Sequence, residues 1–176
     1  KNVRYIPHPV YDNFGESVSK TTARNILRLE KDAKYILFFG FIRRYKGLDL
    51  LLEALTDKRI QERKIKLLIA GEFYEDRKYY DEIIEQNNLK PFVIEHTDFI
   101  PDSEVKNYFG AADLVVQPYR SATQSGISQM AYHFEKPMLV TKIGGLPEIV
   151  PDGKVGYVVN VNAKAIADSI IDFYEN

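Results

Sequence analysis

Six short apolar runs punctuate this chain, at Tyr35–Phe39, Ile65–Ala70, Phe92–Glu95, Leu114–Gln117, Met138–Thr141 and Gly156–Val159. They are continuous rather than alternating, and rich in Val, Ile and Phe, which is the pattern of strands covered on both faces. Between them lie stretches of helical character: Leu48–Leu55, Lys78–Gln86, Ser103–Ala111, Gly126–Phe134 and Ala163–Tyr174. Ser103, following Pro101-Asp102, reads as an N-cap. Strand and helix alternating at this spacing predict an α/β fold, a Rossmann-like doubly wound parallel sheet of about six strands with helices on both faces.

The size of 176 residues fits one ordinary domain, or two very small ones. A formal charge of -1 gives no electrostatic case for nucleic acid or an anionic membrane, so no nucleic-acid partner is expected. With no cysteine there is neither a disulfide framework nor a thiolate metal site. No apolar run approaches the roughly 18 residues needed to cross a bilayer. The opening Lys1-Asn2-Val3-Arg4 lacks a Met and a signal-peptide shape, and reads as the start of a fragment cut from a longer chain. "YIPHPVYDNFG", with two prolines and a glycine, is a poor helix. Residues 1–20 are therefore read as an interdomain linker and 21–176 as the domain, entered through a short helix at Thr22–Leu29.

In an open α/β sheet, ligands bind beyond the carboxyl ends of the strands, and three loops there carry unusual residues. In "GFIRRYKG", Gly40 permits a tight turn and Gly47 opens the next helix. Arg43 suits a bidentate phosphate contact, and Lys46 supplies a compact charge. The stretch is not a Walker loop, since Lys46 precedes Gly47, and the chain holds no GxGxxG. In the second loop, Thr123-Gln124-Ser125-Gly126 leads into a helix; such residues are ordinary capping material, and also a cradle for a diphosphate. In the third, "TKIGGLPEIV", Gly144-Gly145 allows close backbone approach and Pro147-Glu148 starts a helical turn.

At these loops the chain resembles the C-terminal, nucleotide-sugar-binding half of the retaining glycosyltransferases of the double-Rossmann, GT-B type, the group 1 family. The similarity runs through "IPHPVYDNF", "GFIRRYKGLDLLLEAL", "KLLIAGEFYED", "TDFIPDSEVKNYFGAADLVVQPY" and "ATQSGISQMAYHFEKPMLVTKIGGLPEIVPDGKVGYVV". The resemblance implies that Arg43 and Lys46 do the catalytic work of stabilising a leaving diphosphate, which Gly40 and Thr123 to Gly126 also cradle. Phe99 and Ile100 would pack on the nucleobase, Gln129 would meet the ribose, and Ser121, Gly144 and Gly145 would shape the sugar end. Two departures stand out. Phe41 occupies a position where many members carry arginine, and Ser121 and Gln129 stand where the family places a pair of glutamates.

The implied function is the donor-binding half of a retaining glycosyltransferase moving a sugar from a UDP-, GDP- or ADP-type donor to a glycan, lipid or other acceptor. No cofactor and no metal is expected, because the two cations replace a divalent ion. The partner would be an N-terminal domain of the same full-length protein, without which the fragment is expected to be inactive. The protein would be cytoplasmic, and contact with the membrane's cytoplasmic face would come through that missing domain. A nucleotide-sugar epimerase lobe and a non-catalytic flavodoxin-like binding module are the rival readings. His8, His96 and His133 are scattered and suggest no metal site. Asp113 reads as a cap, and Glu72 to Asp81 as a solvated helix entry from which Arg77 could reach a ligand. The twelve tyrosines are dispersed and form no stacking array for single-stranded nucleic acid.

Overall fold

The computed structural model describes residues 14–176. Of the expected linker, residues 1–13 lie outside the described residues; the rest leads into helix α1 (Lys20–Ile26). Ser19 caps that helix, its hydroxyl accepting from the Thr22 amide at 3.1 Å. Six strands follow: β1 (Lys34–Phe39), β2 (Ile65–Ala70), β3 (Val93–His96), β4 (Leu114–Gln117), β5 (Met138–Thr141) and β6 (Gly156–Val159). They form one parallel sheet in the order β3-β2-β1-β4-β5-β6. The chain runs outward from β1 to β3, then crosses back to place β4 on the other side of β1. That reversal creates a crevice at the carboxyl ends of β1 and β4.

Strand side chains alternate between two apolar layers, which explains why the runs are apolar throughout. Ile36, Phe38, Leu67, Ile69, Leu114 and Val116 face one core. There they meet α2 (Leu48–Ala54), α3 (Lys58–Glu62), α4 (Lys78–Gln86) and α8 (Ala163–Glu175). Leu37, Phe39, Leu68, Ala70 and Val115 face the other, under α5 (Asp102–Ala111), α6 (Gly126–His133) and α7 (Leu146–Ile149). Each fully buried Leu, Ile or Phe contributes roughly 1.5–3 kcal/mol, so both layers stabilise the sheet that carries the crevice. No helix among the described residues is long and apolar enough to cross a membrane.

Two local expectations are corrected, and one helix, α3, had not been expected. Ser103 is not a cap: α5 begins at Asp102 after an extended Pro101, and no side chain caps it. The proline fixes the entry geometry one residue earlier than the serine would. Asp113 is not a cap either. Its carboxylate accepts from the Tyr35 amide at 2.8 Å, the Tyr174 hydroxyl at 3.1 Å and Arg24 Nη2 at 3.2 Å, and also pairs with Lys20. One acid thus joins the starts of β1 and β4 to α1 and α8. Helix α3 lacks an apolar repeat, because Ile60 is its one buried residue, and the Asp57 side chain caps it by accepting from the Arg59 amide at 2.9 Å.

Candidate functional site

The loop after β1 is shaped by its glycines. Gly40 takes φ +91° and donates its amide to the Ala70 carbonyl at 2.8 Å. Ile42 continues the pairing toward the end of β2, its amide bonded to the Glu72 carbonyl at 2.8 Å. A single 3-10 turn, Arg44–Lys46, then brings the chain to Gly47 at φ +70°. A Cβ on Gly47 would sit 2.0 Å from the Pro118 carbonyl oxygen. Gly47 therefore serves the contact between the loops after β1 and β4, in addition to starting α2.

The loop after β4 is held from three sides. The Arg120 amide donates to the Tyr45 carbonyl at 2.7 Å. Its guanidinium grips Asp49 with both terminal nitrogens, at 2.6 and 2.9 Å, and Tyr79 donates its hydroxyl to the same acid at 3.1 Å. From β5, Gly144 and Gly145 press against Ala122 and Thr123. A Cβ on Gly144 would lie 1.6 Å from the Ala122 oxygen, and the Gly145 amide donates to the Thr123 carbonyl at 3.2 Å. The glycine pair thus acts on the cleft through the Ala122–Thr123 backbone it supports.

Two hollows open at this crevice. The larger, about 720 Å³, is lined by Ser121 to Gly126, with Tyr45, Lys46 and Tyr119. The smaller, about 330 Å³, is lined by Gly40, Phe41, Gly71, Glu72, Phe99 and Ile100 among others. Phe14, Lys46, Ile127 and Met130 line both and form the saddle between them. The amphipathic spacing of Ile127 and Met130, three apart on α6, carries the signal that could have found them.

Lys46 is the most informative residue of the site. It is 9% exposed, and Nζ makes no hydrogen bond or ion pair with any described residue. It lies against Gly40, where a Cβ would come within 3.2 Å of Nζ, and 5.9 Å from the centroid of the Tyr119 ring. Burial, with Arg43 as a second cause, lowers its pKa to about 8. At neutral pH the ammonium is thus charged, desolvated and without a counter-ion among the described residues. At α6, Ser125 makes no side-chain cap, so the first-turn amides carry no such partner. The capping reading of that loop is thereby set aside.

The expected site residues are partly brought together. Gly40, Lys46, Ser121, Thr123, Gln124, Ser125, Gly126, Phe99 and Ile100 line one hollow or the other. Phe99 is 71% exposed, an apolar ring standing at the mouth. Arg43 lies outside both linings, exposed, with its guanidinium 5.1 Å from the Tyr74 ring centroid. Gln129 is also outside them, at 7% exposure, because it lies roughly 200° around the helix from Ile127. Its neighbour Ser128 donates to Gln117 Oε1 at 3.1 Å in the interior. Arg77 is engaged with Glu95 at 3.1 Å, Asp81 at 3.2 Å and Thr97 at 3.3 Å. Tyr45, Tyr119, Ile127, Met130 and Arg120 are the members of the site that the sequence reading passed over. Among the described residues no three His, Cys, Asp or Glu side chains converge as a metal site.

Comparison with known proteins places this geometry. The profile of the family described as "Glycosyl transferases group 1" matches residues 19–176. The chain belongs to that family. It is 32% identical over 158 residues to the lipopolysaccharide 1,2-N-acetylglucosaminetransferase of Salmonella typhimurium, covering 85% of this chain and 40% of that enzyme. Among solved structures, it superposes on the C-terminal domain of the group 1 glycosyl transferase LpcC of Francisella tularensis. That match has a TM-score of 0.79 at 21% identity, over 94% of this chain and 87% of that one. The Anabaena protein HepE, solved with UDP and glucose, matches with a TM-score of 0.72 at 21% identity, over 89% of this chain and 42% of that one. The chain therefore spans about two fifths of these longer relatives. The group 1 match bears out the α/β reading and the expected family, and gives no support to the epimerase lobe or the binding module.

Proposed function

We propose that the crevice holds the diphosphate of a nucleotide-sugar donor, and that this group 1 domain is the donor-binding half of a retaining glycosyltransferase. The observation that carries the reading is Lys46: a buried ammonium with no counter-ion among the described residues, sharing the larger hollow with the uncapped start of α6. An anion there satisfies both, and a diphosphate is an anion that a cation beside a helix start attracts. The smaller hollow, apolar and rimmed by Phe99 and Ile100, suits the nucleobase, and the larger suits the diphosphate and sugar. HepE was solved with UDP and glucose, which supports a nucleotide-sugar donor here.

In the reaction, the bond from the sugar's anomeric carbon to the diphosphate oxygen breaks, and its electron pair leaves on that oxygen. An acceptor hydroxyl forms the new glycosidic bond and loses its proton. Negative charge grows on the leaving diphosphate, and preorganised donors that meet it there favour the transition state over the ground state. Lys46 supplies the charge at close range. Arg43, near enough to depress the Lys46 pKa, adds positive potential from the rim. With these donors in place the reading carries no metal requirement. The acceptor site belongs to an N-terminal domain, in keeping with a chain that spans two fifths of its relatives. A cytoplasmic setting is part of this reading.

Calorimetric titration with UDP, GDP and ADP, each with chelator and with magnesium, tests the reading. Binding of one of them at comparable strength in both conditions is expected; no binding of any would overturn it. An NMR assignment of the product anomer, made on a chain carrying both halves, tests retention.

A further inference from the structure

Tyr119 closes the stretch "ADLVVQPY" but received no role from the sequence, and the proposed diphosphate site leaves its hydroxyl without one. Its side chain is 4% exposed, with the Tyr45 ring edge-on at 6.2 Å and Lys46 Nζ 5.9 Å from its own centroid. Among the described residues the hydroxyl has one hydrogen-bonding neighbour, Ser125 Oγ, at 3.5 Å. That is far beyond the usual O–H···O length of about 2.7–2.8 Å. Ser125 is itself 6% exposed and caps no amide of α6. Two buried hydroxyls thus share one slack contact, and burial without a good partner is costly. Both residues line the larger hollow beside Lys46, and among the described residues no Asp or Glu lines it. Besides the ammonium and the helix start, the hollow is lined by the hydroxyl-bearing Tyr45, Tyr119, Ser121, Thr123 and Ser125 and by Gln124, a set rich in donors that complements a ligand oxygen that only accepts. A sugar hydroxyl, itself a donor, matches that set less well than an anionic oxygen does.

We propose that Tyr119 Oη and Ser125 Oγ both donate hydrogen bonds to one oxygen of the donor's diphosphate, next to Lys46. The inference rests on the reading of this hollow as the diphosphate site and adds two neutral donors to it. Burial raises the Tyr119 pKa, so the phenol keeps its proton across the working pH range and remains a donor. Neutral donors of this kind bind the oxygen without adding charge that would hold the product.

The test is titration of Tyr119→Phe, Ser125→Ala and Ser125→Thr with whichever of UDP and GDP the unaltered protein binds, and with the matching nucleoside. Phe keeps the ring and its packing, and thermal melting of each variant checks the fold. Tyr119→Phe and Ser125→Ala should each weaken the diphosphate by roughly 3- to 10-fold, leave the nucleoside unchanged, and be matched by near-normal binding in Ser125→Thr. Diphosphate affinity equal to the unaltered protein in both Tyr119→Phe and Ser125→Ala would overturn the proposal. So would an equal loss for nucleoside and diphosphate, which marks a packing role. If the unaltered protein binds neither diphosphate, the underlying reading of the hollow fails, a result distinct from either.

Discussion

Arg120 holds Asp49 through both terminal nitrogens of its guanidinium, at 2.6 and 2.9 Å, across the point where β1 and β4 diverge. The pair joins the loop carrying Ser121 to Gly126 to the helix that follows Lys46. Asp49 is kept below its ordinary pKa chiefly by Arg120, against its own burial. Two parts of the proposed diphosphate site, contributed by residues more than seventy positions apart, are thus fixed relative to each other.

Loosening this clamp should affect binding more than folding. The Arg120 side chain is 39% exposed, so the pair is partly screened and its coupling energy should be about 1 kcal/mol by double-mutant cycle. Arg120→Ala and Asp49→Asn should each lower nucleoside diphosphate affinity several-fold. The exchanged pair, Asp49→Arg with Arg120→Asp, should recover part of the loss. Equal affinity in the single variants would show that the loops are positioned by other contacts.

The pH dependence follows from Lys46. Its folded pKa of about 8 lies below its ordinary 10.5, so the folded state disfavours the charged form. The resulting cost to stability is fully present below pH 8, where both folded and unfolded chains hold the proton. Between about pH 8 and 10.5 the unfolded chain binds more protons, and this group's contribution to stability improves as pH rises. Diphosphate affinity should move the other way, constant to about pH 8 and then falling as the ammonium is lost. Lys46→Arg, which stays charged, should remove the break. Titrations from about pH 7 to about pH 9.5 check both directions.

Glycine substitutions separate backbone strain from collision. Gly144 and Gly153 both have positive φ, +52° and +70°, but a Cβ on Gly144 would lie 1.6 Å from the Ala122 oxygen, while nothing lies within 4 Å of one on Gly153. Gly153→Ala should cost about 1 kcal/mol, the strain alone. Gly144→Ala should cost more than about 2 kcal/mol or displace the Ala122–Thr123 backbone and weaken diphosphate binding. Denaturant unfolding of both variants, with titration of the second, makes the comparison.

Gln129 tests how far the family pattern carries over. Its side chain is buried outside both hollows, so Gln129→Ala should lower stability by about 1 kcal/mol and leave nucleotide affinity within about 0.5 kcal/mol. A larger loss of affinity, seen with a ribose but not a 2'-deoxyribose diphosphate, would restore the ribose role implied by the resemblance.

The sheet was legible because burial on both faces forces continuous apolar runs. Ile65–Ala70, Leu114–Gln117, Met138–Thr141 and Gly156–Val159 coincide with the observed strands residue for residue. The cleft was legible as loops, since parallel strands must place them at one edge, and Lys46 stood out as a cation between glycines. Side-chain direction was not legible there. Arg43 and Lys46 look alike in sequence, yet one 3-10 turn sends Lys46 into the crevice and leaves Arg43 on the Tyr74 face. Counting from a motif likewise could not tell Gln129 from Met130, which one step of helical rotation divides. Asp113 and Arg120 were unreadable for another reason: their partners lie far away in the chain, and only the folded topology brings them near.

The central claim is that Lys46 is kept charged and unpaired for an anionic ligand, at a cost to the fold. Lys46→Met retains the apolar stem and removes the buried charge. Measured together, thermal unfolding and calorimetric titration with the preferred nucleoside diphosphate decide the matter. The account predicts a fold more stable by roughly 1–3 kcal/mol at neutral pH and an affinity lower by about 10- to 150-fold. A Lys46→Met protein that binds the diphosphate as tightly as the unaltered chain would contradict it.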